Sequence, residues 1–148
     1  MSAGGATASS LPSGTVALRV GDEMPSETMG PLTRTDFVRY AGAGGDFNPI
    51  HHDEPMAVAF GLPSVFGMGM LHAGKLGTCL SRWVGPNNLT SFAVRFTGQV
   101  WPGDVLTFSG SVTEVSTGAN PSASVQLTVA RQSGEVVLTG SAATRISP

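Results

Sequence analysis

Apolar positions recur at helical spacing through the middle of this chain and alternate with polar ones towards its C-terminus. Phe37, Tyr40 and Ala41 follow Thr33, a hydroxyl residue suited to cap a helix, with Asp36 at the third helical position in the manner of a capping box. Gly42, Gly44 and Gly45 end that helix. After an irregular stretch, Asp53-Glu54-Pro55 marks a second helix start, with Asp53 as cap and Pro55 in the first turn, and Gly61 and Pro63 keep it short. A longer helix is predicted from Gly69 to Val84. Met70, Leu71, Ala73, Leu76, Leu80, Trp83 and Val84 cover much of its circumference, the mark of a largely buried helix. Gly69, Ala73, Gly74 and Gly77 lower its propensity, so close packing against a sheet is expected in return.

The remainder reads as strand. A first short strand is expected over 15–20, before Gly21-Asp22 and Pro25-Ser26 punctuate the approach to the first helix. Phe92, Val94 and Phe96 alternate with Ala93, Arg95 and Thr97. Leu106, Phe108 and Val112 alternate with Thr107, Ser109, Ser111 and Thr113, and Val125, Leu127 and Val129 alternate with Ser124, Gln126 and Thr128. A last strand covers 136–146. Pro102-Gly103, the 117–121 stretch and Ser133-Gly134 supply the turns. Helices followed by an antiparallel meander predict an α+β fold, a sheet wrapped around one long central helix. Residues 1–14 are small, polar and aperiodic and read as a flexible tail, leaving 15–148 as a single domain.

At 148 residues the chain is long enough for one self-sufficient core. Only 12% of residues are charged and the formal net charge is −2, without the basic footprint of a nucleic-acid-binding protein. The single cysteine, Cys79, excludes an internal disulfide framework, and in an apolar helix it reads as packing rather than nucleophile. No apolar run approaches the roughly 18 residues of a membrane span, and the start lacks a signal-peptide pattern. A cytoplasmic protein is expected, which makes the Asn88-Leu89-Thr90 sequon a chance match.

Chemistry concentrates in Gly45-Asp46-Phe47-Asn48-Pro49-Ile50-His51-His52-Asp53. On an α-helix, Asp46 and His51 would be turned about 500° apart and diverge. Pro49 opposes helix and biases Asn48 towards extended geometry, so a tight loop is the conformation that turns both into one cleft. An Asp–His pair suits proton transfer to and from water, and the Asn48 amide can orient that water. Read without any pattern, an Asp and a His in one loop are more often a turn residue and a surface ring. A metal site from His51, His52, Asp53 and His72 is poorly spaced, and capping accounts for Asp53. His72 falls near the start of the buried helix, where it is either hydrogen-bonded in the core or part of a pocket wall. Gly67-Met68-Gly69 lacks the third glycine of a dinucleotide fingerprint. Arg95 is the strand charge placed to matter, against the commoner outcome of a solvated face.

The run 40–57, with Gly45-Asp46-Phe47-Asn48-Pro49-Ile50-His51 at its centre and Ala57 beyond, resembles the signature of (R)-specific enoyl-CoA hydratases of the MaoC-like family. Leu32-Thr33, Gly69-Met70-Leu71, Val94-Arg95-Phe96 and Pro102-Gly103-Asp104 extend the resemblance, and actinobacterial acyl-thioester dehydratases are the most similar in look. The resemblance implies a hot-dog fold and reversible hydration of trans-2-enoyl thioesters, on coenzyme A or a carrier protein, to (R)-3-hydroxyacyl thioesters. It implies Asp46 and His51 as a catalytic dyad, the Gly69 N–H as oxyanion donor, and neither cofactor nor metal. It also implies a homodimer, or a heterodimer with a similar chain. The sequence departs from the family at Met68, where relatives carry His, and at Gly77, where some carry Ser. A non-catalytic partner subunit and a thioesterase are the competing readings on this fold. Partner subunits tend to lose the dyad, and hydrolysis does not require the Asn-Pro-Ile-His run.

Overall fold

A computed structural model describes residues 11–148; the first ten residues of the expected tail lie outside them. Three helices and five strands form one layer of sheet curled around one long helix: β1 (Glu27–Met29), α1 (Arg34–Gly44), α2 (Glu54–Ala59), α3 (Gly69–Val84), β2 (Leu89–Phe96), β3 (Leu106–Ser116), β4 (Ser122–Arg131) and β5 (Val136–Arg145).

The helix boundaries follow the capping chemistry. Thr33 Oγ1 accepts the Asp36 N–H while the Asp36 carboxylate takes the Thr33 N–H, a complete capping box with Asp doing the work of Glu. The Asp53 carboxylate accepts the Met56 N–H and starts α2. The interior is assembled from α3, through Ala73, Leu76, Leu80 and Val84, and from alternate residues of the strands, including Leu106, Phe108, Val125, Leu127 and Leu138. Leu127 lies opposite Gly110 on one neighbouring strand and Gly140 on the other. A methyl group at Gly110 would come 2.7 Å from the Leu127 side chain, so glycines on both flanks let this leucine seat as the sheet curls.

Three expectations need correction. No strand forms over 15–20. Val16 makes only an isolated parallel bridge to Ile146, and the short edge strand is β1, beyond Pro25-Ser26. The sheet is also not a simple meander, since its order is β1-β3-β4-β5-β2. β2 pairs with β5 instead of β3, and the chain from Thr97 to Val105 crosses from the β2 edge to β3, next to the opposite edge strand β1. That link is longer than the two to five residues of a usual hairpin, so Pro102-Gly103 turns a crossing loop rather than a hairpin. Finally, α3 is buried on one side only: His72, Ala73, Leu76, Cys79, Leu80 and Val84 face inward, whereas Met70 and Gly74 are exposed. Its glycines divide accordingly. Gly69 packs under Phe96 and Gly77 under Phe92, both from β2, while Gly74 faces open space.

The crossing loop is tied down by Asp104, a buried carboxylate. It accepts the Trp101 N–H, a paired contact from Arg131 at 2.8 and 3.0 Å, and the Gln132 amide. The loop in turn takes the Gly67 N–H on the Val100 carbonyl at 2.7 Å, which fixes the approach to α3. Replacing Asp104 with Ala strands the Arg131 guanidinium and the Trp101 N–H, and a loss of about 3 kcal/mol is expected. Chemical denaturation of the variant measures it.

Candidate active site

Gly45 closes α1 in the left-handed region (φ 73°), its N–H bonded to the Ala41 carbonyl at 2.9 Å. The reversal delivers Asp46 to the mouth of a cleft, where its Oδ1 accepts the Asn48 N–H at 3.3 Å. Pro49–His51 then forms one 3-10 turn, capped by Asn48 Oδ1 on the Ile50 N–H at 3.2 Å. The turn points His51 inward, and its Nε2 comes to 3.4 Å from Asp46 Oδ2. The tight loop expected between the two residues therefore exists and brings them together.

His51 is buried, with an 8% exposed side chain, whereas that of Asp46 is 46% exposed. The imidazole is anchored from behind, where Nδ1 lies 2.7 Å from the Phe66 carbonyl oxygen. A carbonyl only accepts, so Nδ1 carries the proton and donates it. In the neutral ring Nε2 is then an acceptor aimed at the carboxylate. Two acceptors at this spacing share no proton, and a water lying against both can donate one hydrogen to each. The Phe66 ring holds the imidazole edge-on at 4.8 Å between centroids and itself packs on Trp101 at 6.1 Å. The crossing loop thus supports the histidine at one remove.

The cleft has a volume of about 440 Å³ and a mostly apolar wall. Gly69 lines it at the start of α3, where the N-cap residue Met68 offers no side-chain cap. Among the described residues no acceptor takes the Gly69 N–H, which leaves a donor at the positive end of a sixteen-residue helix. Phe96 closes over it, since a methyl group on Gly69 would fall 2.7 Å from the ring.

Met68 and His72 both line this cleft and are both about 2% exposed. Burial pushes the His72 imidazole down to about 4, so the ring is neutral at pH 7. Asn48 is placed otherwise. Its carbonyl is committed to capping the turn, its side chain is exposed, and it does not line the cleft, so its contribution is to shape the loop that carries the pair. His52 and Arg95 are exposed and Asp53 caps α2. Among the described residues no three potential ligands cluster as a metal site would require, and no helix is long and apolar enough to cross a membrane. Sequence reasoning missed Phe66, whose contribution is a main-chain carbonyl and leaves no residue signal. It also missed Phe96, whose alternation signals only a strand.

Residues 16–133 match the model of the MaoC-like domain. The 3-oxo-4,17-pregnadiene-20-carboxyl-CoA hydratase beta subunit of Mycobacterium tuberculosis is 35% identical over 85 residues, 57% of this chain and 66% of that subunit, just under two-thirds of its length. The fold superimposes on a solved MaoC-like dehydratase with a TM-score of 0.81 and 34% identity, covering 90% of this chain and 43% of that one. It also superimposes on the unliganded R-hydratase PhaJ1 of Pseudomonas aeruginosa, with a TM-score of 0.75 and 26% identity over 88% of this chain and 83% of that one.

His72 makes the stability of the fold depend on pH. Its folded pKa lies below the roughly 6.5 of an unfolded histidine, so below that pH the unfolded chain binds the proton that the fold refuses. Stability contributed by the neutral ring is present above pH 6.5, falls between pH 6.5 and 4, and levels off below. Asp46, His51 and Tyr40 are the other ionisable side chains of the cleft and stay unchanged when His72 is replaced. Replacing His72 with Leu should flatten this limb, as read from denaturation midpoints across that range.

Proposed function

The chain belongs to the MaoC-like domain family, and from that premise we propose that it hydrates trans-2-enoyl thioesters reversibly to the (R)-3-hydroxyacyl form. The observation that carries the reading is the juxtaposition of His51 Nε2 and Asp46 Oδ2 at 3.4 Å in an apolar cleft that also contains a free N–H at a helix start. The hydratase relatives lend it support.

In this reading Asp46 and His51 hold one water by its two hydrogens. His51 Nε2 takes a proton as the water oxygen bonds to C3 of the enoyl group. The displaced electron pair moves onto the thioester oxygen, where the Gly69 N–H and the helix dipole stabilise it. Collapse of that enolate takes at C2 the proton that the Asp46–His51 pair received from the water, which restores the thioester, resets the pair and completes the addition with no external co-reactant. The apolar wall excludes other water. The thioester is carried by coenzyme A or a carrier protein, and the chain works as a homodimer or beside a similar hot-dog chain, in line with the beta-subunit status of its mycobacterial relative. The exposed Phe92 and Phe96 on edge strand β2 fit a covered edge.

Site variants test the proposal. Asp46→Asn and His51→Ala should each lower kcat for 2-enoyl-CoA hydration by at least about 10² to 10⁴-fold, with less change in KM. The double variant should be little worse than the worse single. Asp53→Asn is the control: it keeps a capping oxygen for the Met56 N–H and removes only a charge at the start of α2, so it should change both stability and rate little. Near-normal turnover by folded Asp46→Asn and His51→Ala proteins would overturn the assignment and favour a partner-subunit role.

A further inference from the structure

Among the described residues, His72 Nε2 is the one buried side-chain nitrogen or oxygen without a hydrogen-bond partner. Folded proteins leave few such atoms unsatisfied, and an apolar side chain at this point of α3 would pack without the penalty. The imidazole is also held in place. It stands edge-on to Phe96, with centroids 5.8 Å apart and planes at 88°, and it lines the same cleft as Asp46, His51 and Gly69. His72 follows Gly69 by three residues, so the two share a helix face about 4.5 Å apart along the axis.

We infer that His72 is a specificity residue whose Nε2 hydrogen-bonds an oxygen substituent on the acyl chain, one helical turn beyond the place of the thioester carbonyl. The substrate class is then a 2-enoyl thioester bearing a hydroxyl or carbonyl oxygen beyond C3, rather than a plain hydrocarbon chain. This rests on the hydratase reading and deepens it. A neutral imidazole suits the role, because it recognises an uncharged oxygen by donating or accepting and brings no charge into the apolar wall. The burial that holds the ring neutral near pH 7 supports this. A chain without the oxygen leaves Nε2 as unpartnered as it is in the free protein, whereas a chain that carries it gains a hydrogen bond in an apolar wall, so discrimination comes from the site's own unpaired group.

The test compares 2-octenoyl-CoA with its analogues carrying a hydroxyl on C4, C5 or C6. For the wild-type protein, kcat/KM for one hydroxylated analogue should exceed that of the plain substrate by at least about tenfold. His72→Leu, checked for folding at pH 7, should equalise the two. His72→Gln, which keeps a donor and an acceptor, should retain part of the preference and covers the case in which the Leu variant does not fold. No preference in the wild type at any of the three positions, or a preference that survives in His72→Leu, overturns the inference. Should the wild type hydrate none of the four, the hydratase reading fails. Calorimetric affinities of the same four thioesters then decide on His72 alone, with a tenfold His72-dependent difference supporting it and equal affinities overturning it.

Discussion

The site depends on one hydrogen bond, from His51 Nδ1–H to the main-chain carbonyl of Phe66. It chooses the tautomer, turns the ring and leaves Nε2 bare towards Asp46. Everything that positions Phe66 therefore acts on the chemistry. The carbonyl belongs to the segment entering α3, which is held by the Gly67 to Val100 hydrogen bond, and Val100 belongs to the crossing loop that Asp104 ties to Arg131. A half-buried ion pair at the end of the sheet is thereby linked through the main chain to an imidazole on a different loop. The opposite side of the pair is set by Gly45, which turns the chain out of α1 and delivers Asp46.

Much of this was legible from residue types, and the illegible parts share a cause. The capping residues Thr33 and Asp53 and the span of α3 follow from local chemistry, and local chemistry decided them. The Asp46–His51 loop was legible because Pro49 forbids the helix that would separate the pair. Strand order was not. β2 alternates like its neighbours, but which strand it pairs with is decided by the length and course of the 97–105 crossing, a non-local property. The edge strand misassigned to 15–20 has the same origin: Glu27–Met29 is only three residues long and exists because β3 is there to pair with it.

Side-chain carbonyls and main-chain carbonyls also exchanged expected parts. Asn48 carries an amide suited to water, yet its oxygen is committed to the Ile50 N–H, and the group that orients the site is the Phe66 backbone. Small residues on α3 likewise have no single meaning. Gly69 and Gly77 make room for Phe96 and Phe92, and Gly74 faces open space. Met68 leaves the cleft wall apolar at the helix cap, and the imidazole in the wall sits one turn further on at His72.

His51 presents an unprotonated Nε2 to the space it shares with Asp46, and the proposed chemistry starts from that atom. Long-range nitrogen–proton correlation NMR on the 15N-histidine-labelled protein, at a pH where the ring is neutral, reads the tautomer directly. The expected spectrum shows His51 with its proton on Nδ1 and a non-protonated Nε2. A neutral His51 with its proton on Nε2, donated to Asp46, would contradict it.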